Sequence, residues 1–206
     1  MVVNHDHLEF GLGKGDVPPD TADVDQPSQP SIEDTLDQIW SWNASVPAQI
    51  QGCVHDLISE IAQSTNSLAV CAWDGDFTYL ELDSIAGHVA HYLISEMNVA
   101  PRSCIPILFH KSRWTCVAML GVIKAGCSVV ALDPAQPDSR LFSILEQVQP
   151  YVMLSSESNY ARACALREDV TVFQIDDSWL SKPLNTTTSQ LATVSPSDIV
   201  YISFTS

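Results

Sequence analysis

The chain has 206 residues, of which 46% are hydrophobic, and a formal charge of −16. That length allows one domain with a sizeable core plus a tail. The acid excess, with no basic patch anywhere, argues against nucleic acid and against an anionic membrane surface as partners.

Residues 1–37 carry nine of the 25 acids and a single lysine. The first 34 residues are rich in Pro, Asp, Ser and Gln and nearly free of aromatics. Such a composition buries too little apolar surface to offset the entropy of ordering, so residues 1–34 read as a disordered acidic leader. Within it, Gly11-Leu12-Gly13-Lys14-Gly15 imitates a phosphate cradle but lacks the preceding strand and following helix that such a cradle needs. No basic n-region precedes an apolar run, so no signal peptide is expected. The most apolar stretch, Cys116–Leu132, is interrupted by Lys124 and two glycines and falls short of the ~20 apolar residues of a membrane span. Six scattered cysteines without a C-x-x-C pair fit a reduced, cytoplasmic protein. The glycosylation-type triplets at Asn43 and Asn185 are then chance matches.

From Thr35 to Pro47, Leu36, Ile39, Trp40 and Trp42 anchor a short helix or an extended strap. Cys53, Val54, Leu57, Ile58 and Ile61 follow 3- and 4-residue spacing and predict a helix over roughly 50–63. His55 lies beside that stripe as a partly exposed structural histidine. Leu68–Trp73 and Asp76–Thr78 predict two strands joined at Asp74-Gly75, a type I′ hairpin signal. Turn chemistry accounts for both Asp74 and Asp76. Thr78 and Glu81 form a capping box. The helix they open carries Leu82, Ile85, Ala86, Val89, Ala90, Leu93, Ile94 and Met97 on one face. His88 and His91 sit off that face, three apart, without a third metal ligand at hand.

Cys104–Phe109 predicts a strand buried on both faces, although Pro106 argues for an edge or irregular position. Ser112 caps the next helix, which is apolar nearly all round. Lys124 complements its dipole and Gly126 is the expected residue after its end. Ser128–Leu132 predicts a strand stopped by Asp133-Pro134. A helix follows from Pro137, with Leu141, Ile144, Leu145 and Val148 inward. Tyr151–Leu154 is a strand, Ser158–Arg167 a helix and Thr171–Ile175 a strand, which ends in a turn at Asp176-Asp177. Residues 181–196 form a loop and Ile199–Phe204 the last strand. This alternation predicts an α/β fold, a mostly parallel sheet with helices on both faces and ligands beyond the carboxyl ends of its strands.

Three stretches, in order and at matching spacing, resemble one family. Phe77–Leu82 resembles the first core motif of nonribosomal peptide synthetase adenylation domains. Ile123–Pro134, with Pro137 and Arg140, resembles the second. Val200–Ser206 resembles the opening of the third, whose full form continues into a Gly-Ser-Thr-Gly-x-Pro-Lys-Gly phosphate loop. Ile39–Pro47 looks like the linker that precedes such domains in fungal synthetases. Ala131 stands where the family favours proline, Arg102 where a turn glycine is common, and His110 where an acid is frequent.

The resemblance implies that residues 35–206 are an incomplete AMP-binding domain of the adenylate-forming fold, its N-terminal part. In the intact family an amino acid and ATP, with Mg, give aminoacyl-AMP and pyrophosphate. The acyl group then loads onto the phosphopantetheine of a separate carrier domain. Thr205 and Ser206 would open the ATP phosphate loop. No catalytic or metal residue is expected in this chain, which is read as a truncated product that binds no cofactor and is inactive alone. Two alternatives are a non-catalytic protein that docks on other synthetase domains and a fragment of an acyl- or aryl-CoA ligase.

Overall fold

The structure, a computed structural model, describes residues 31–48, 50–181 and 194–205. The Gly11–Gly15 run, nearly all of the acidic leader, most of the 181–196 loop and Ser206 lie outside the described residues. The chain divides into two units, residues 1–49 and 50–206.

In the first unit, Thr35–Trp42 is helical rather than a strap. Helix α1 spans Ile32–Trp42 and starts within the stretch assigned to the leader. Its start is fixed by a capping box that composition alone did not reveal. Ser31 Oγ accepts from the Asp34 N–H at 3.0 Å, and the Asp34 carboxylate accepts from the Ser31 N–H at 3.2 Å.

The second unit opens with helix α2, Val54–Ser64, and a hairpin of strands β1, Leu68–Ala72, and β2, Gly75–Thr78. Ala72 pairs with Gly75, so the turn residues are Trp73 and Asp74. Only Gly75, after them, has positive φ, at 128°. The turn is therefore not type I′, which needs positive φ at both central residues. Helix α3, Tyr79–Ser95, follows with the expected box: Thr78 Oγ1 accepts from the Glu81 N–H at 3.2 Å, and Glu81 accepts from the Thr78 N–H at 2.8 Å. The Thr78 amide and hydroxyl hold the Glu81 carboxyl below the usual range.

Strand β3, Cys104–Leu108, leads into helix α4, Arg113–Lys124, and strand β4, Ser128–Leu132. Helix α5, Asp138–Val148, strand β5, Val152–Ser155, helix α6, Glu157–Leu166, and strand β6, Thr171–Gln174, come next. A short 3-10 helix, Asp177–Ser181, and strand β7, Tyr201–Ile202, complete the order. The five strands form a parallel sheet in the order β6-β5-β3-β4-β7.

Pro106 thus lies in the central strand, not at an edge. The ladder to β4 spans all five residues of β3, but the ladder to β5 begins only at Ile107. The missing proline N–H falls where β5 has not yet joined. Both sheet faces are covered, as expected. Ile105, Ile107, Val129, Val152 and Leu154 pack with the inner faces of α3 and α4, while Leu108, Val130, Leu132 and Met153 pack with α5 and α6. A fully buried leucine such as Leu93 or Leu145 contributes about 1.5–3 kcal/mol through its removal from water.

Helices α3 and α4 approach closely because small residues meet there. A Cβ on Gly121 would stand 2.6 Å from Val89 Cγ1, a distance that forces movement. Lys124 does more than complement a dipole. It is only 5% exposed, pairs with Asp83 at 2.8 Å and donates to Ser59 Oγ at 2.9 Å. Ser59 Oγ in turn donates to Asp83 at 2.7 Å, so one buried network joins α2, α3 and α4. His55 is also buried, at 9% exposure, contrary to its expected place beside the apolar stripe.

Removing one partner of a buried pair strands the other charge, whereas replacing a charge with an apolar side chain of similar length does not. Asp83→Ala is expected to lower unfolding free energy by about 3 kcal/mol, and Lys124→Met by clearly less. Urea denaturation of the two variants checks this, and equal losses would mean that the network carries no special strain.

Candidate functional site

The chain leaves β3 toward β4 on one side and later returns to place β5 on the other. In open α/β sheets a crevice forms at such a reversal, outside the carboxyl ends of the strands. A cavity of about 610 Å³ occurs there. Its wall is built from segments that follow three strands: His110, Ser112 and Trp114 after β3, Ser156, Glu157 and Ser158 after β5, and residues 175–178 after β6. Trp73 and Asp74, the hairpin turn, complete it.

The carboxylates of this cavity hold α4 in place. Asp74 accepts from Ser112 Oγ at 2.6 Å and from the Arg113 N–H at 3.0 Å. Asp177 accepts from Arg113 Nη2 at 2.8 Å and from the Trp114 indole N–H at 3.0 Å. Two carboxylates therefore face the first turn of α4, where the helix dipole favours negative charge. The Arg113 guanidinium also lies 4.8 Å from the Phe77 ring centre. Partial burial works against ionised Asp74, but the Ser112 hydroxyl, the Arg113 amide and the Arg113 guanidinium outweigh it. Together they hold the carboxyl below the usual carboxylate range. Turn chemistry alone does not account for Asp74, and Asp176-Asp177 is more than a plain turn. These partners are 38 to 64 residues apart in sequence, so no local spacing signals them.

Thr205, expected with Ser206 to open a phosphate loop, lies at the other edge of the sheet. Thr205 is exposed, three residues past β7, which pairs with β4. Ser206 lies outside the described residues. The Thr205 carbonyl accepts from Arg140 Nη2 at 2.7 Å, so a residue of the second motif reaches the opening of the third. Arg162 on α6 holds the loop between β4 and α5 by donating to the Pro134 carbonyl at 2.6 Å, the Gln136 carbonyl at 2.7 Å and Asp138 at 2.7 Å. Arg102, where a turn glycine was expected, has φ of 67°. That left-handed conformation costs about 1–2 kcal/mol in a residue with a Cβ. The Arg102 amide donates to the Gly126 carbonyl at 2.7 Å and its side chain to Asp198 at 2.9 Å, which fixes the turn.

The two ends differ in charge. Asp74, Glu157, Asp176 and Asp177 line the cavity, with His110 as its one basic-type side chain. Of these, Asp74 and Asp177 are compensated by the start of α4 and the Arg113 guanidinium. At the β7 end, a guanidinium stands against the backbone of the expected loop.

Residues 59–206 match the family described as AMP-binding enzyme. A nonribosomal peptide synthetase, ungA, of Aspergillus violaceofuscus is 44% identical over 181 residues, 84% of this chain and 2% of the relative. Peramine synthetase A of Epichloe festucae is 38% identical over 177 residues, 85% of this chain and 6% of the relative. The chain thus spans a small part of the length of these relatives. The structure of VinN with 3-methylaspartate has a TM-score of 0.68 and 25% identity, over 78% of this chain and 45% of that one. The AMPPNP-bound form of the synthetase FmoA3 has a TM-score of 0.66 at 22% identity, over 89% of this chain and 20% of that one, a likeness of fold.

Because the folded-state pKa of Asp74 is depressed, its stabilising contribution is present above the unfolded carboxylate pKa of about 3.9 and lost as pH falls through the folded value. Asp74→Asn is expected to lower unfolding free energy by about 1 kcal/mol at neutral pH. The deficit should shrink steadily below pH 4. Denaturation midpoints measured across that range test it, and a deficit constant from pH 7 to pH 3 would rule out the charge as the cause.

Proposed function

The chain belongs to the AMP-binding enzyme family, as the N-terminal part of a nonribosomal peptide synthetase adenylation domain, and we propose that it contributes the opening of an amino-acid-activating site. In the proposed reaction an amino acid carboxylate attacks the α-phosphate of ATP. Aminoacyl-AMP forms and pyrophosphate leaves. The aminoacyl group then passes to a phosphopantetheine thiol on a carrier domain. Magnesium would accompany ATP in the intact enzyme, and the carrier would be its partner.

The observation that carries this reading is the position of Thr205. It follows the carboxyl end of a parallel strand, its side is exposed, and Arg140 fixes its carbonyl. A hydroxyl at that place, just past the carboxyl end of a parallel strand, suits contact with phosphate oxygens. The fungal synthetase relatives support an amino acid as substrate rather than a carboxylic acid destined for CoA.

Adenylation also needs charge stabilisation around the α-phosphate and closure over both substrates. A strand end, one hydroxyl and one guanidinium already engaged with a carbonyl supply little of either. We therefore take the 206-residue chain to be inactive alone. The division into a leader over 1–34 and an adenylation portion over 35–206 belongs to the same proposal, with the α1 cap beginning at Ser31.

Amino-acid-dependent ATP–pyrophosphate exchange tests both parts. The 206-residue chain is expected to show none above background with any proteinogenic amino acid, and exchange by it would overturn the inactivity. When the same residues form the front of a complete synthetase module, exchange is expected with a preferred amino acid. There, Thr205→Ala should lower it about tenfold or more. An unchanged rate would remove Thr205 from the site.

A further inference from the structure

We propose that Cys53, His55 and Asp56 form a binding site for a thiophilic divalent cation of the zinc type. One donor atom from each lies within 4.8 Å of the other two. Cys53 is the N-cap residue of α2, in extended conformation, and His55 and Asp56 lie in the first turn. The winding of the helix start therefore gathers three donors from four consecutive residues.

The imidazole gives the second, independent observation. His55 is only 9% exposed, and its Nδ1 has no hydrogen-bond partner among the described residues. Its Nε2 stands 3.4 Å from Asp56 Oδ1, too far for a good hydrogen bond. Leaving a buried polar group unmet is costly, and a cation would relieve that cost. Among the described residues, Cys53 Sγ makes one weak contact at 3.7 Å, to the Val194 carbonyl. Lys124, a base that acts on His55, is already paired with Asp83 at 2.8 Å, so it adds little repulsion.

A thiolate, an imidazole and a carboxylate together select a borderline-soft ion over magnesium or calcium, which prefer oxygen donors throughout. Three protein ligands leave a fourth position for water. This site lies at the start of α2, outside both strand-end regions described above, and does not depend on the adenylation reading.

Cobalt(II) serves as the probe, since a tetrahedral cobalt–thiolate site absorbs in the near ultraviolet and the visible. Titration of the metal-free 206-residue chain is expected to saturate at a single equivalent, with zinc displacing the cobalt. Cys53→Ser should abolish the thiolate band. Serine is favoured at an N-cap, so this variant keeps the helix start, which circular dichroism verifies. Asp56→Asn should weaken binding about tenfold or more. Cys71→Ser, at an exposed cysteine elsewhere, should change nothing. The proposal is overturned by absence of the band, by its persistence in Cys53→Ser, by equal loss in Cys71→Ser, or by an undiminished band in urea-unfolded protein.

Discussion

The ammonium of Lys124 sits inside the helical layer with 5% of its surface exposed, and three helices are arranged around that fact. Taking a charge out of water costs several kcal/mol unless it is paired and its remaining donors are met. Asp83 from α3 and Ser59 from α2 meet them, and each also bonds the other. Helix α4 can then settle only where its last turn reaches both neighbours. The close approach of Gly121 to Val89 sets its distance from α3. With that end fixed, the opposite end of α4 is set as well, and it is there that Ser112, Arg113 and Trp114 meet Asp74 and Asp177. One buried charge at the bottom of a helix thus helps to place the polar groups above the sheet.

Those polar groups divide the carboxyl edge of the sheet into two electrostatic regions. Around the ends of β3, β5 and β6 the carboxylates face a helix N-terminus and a guanidinium, so their charge serves the fold. Near β7 the arrangement reverses, because Arg140 presents positive charge to a carbonyl at the expected start of a phosphate loop. The cavity at the ends of β3, β5 and β6 and the expected start of a phosphate loop past β7 are therefore different places. The crevice rule for α/β sheets points to the carboxyl edge of the sheet, along which these two places lie apart.

Much of this was legible in the sequence where the signal is local. Continuous apolar runs such as Val129–Leu132 and Met153–Leu154 mark strands covered on both faces, and the sheet places them there. The Thr78–Glu81 box and the Ser112 cap are three-residue patterns that need no tertiary context. What the sequence hid is long-range. Asp74 looked like a turn residue because its partners come 38 and 39 positions later. Lys124 looked like an ordinary cation of a last turn because Asp83 and Ser59 belong to other helices. His55 sat off the apolar stripe by spacing, yet neighbouring helices bury it. Pro106 argued for an edge or irregular position, and the second alternative holds, within the central strand. In β3 the ladder to β5 is short by the length that the proline would have spoiled.

The link from Arg140 to Thr205 shows how motifs distant in sequence become one device. Arg140 lies in the first turn of α5, whose position follows from the loop after β4. Arg162 clamps that loop through two carbonyls and Asp138. Strand β7 pairs directly with β4, so the chain leaving β7 passes beside the same loop. A guanidinium carried by a helix start therefore reaches the backbone three residues past a short strand and holds it in place. Preorganisation of this kind matters most where a strand has only two paired residues, because little else restrains its exit. In this chain the stretch that resembles the second motif carries the arm that steadies the stretch resembling the opening of the third.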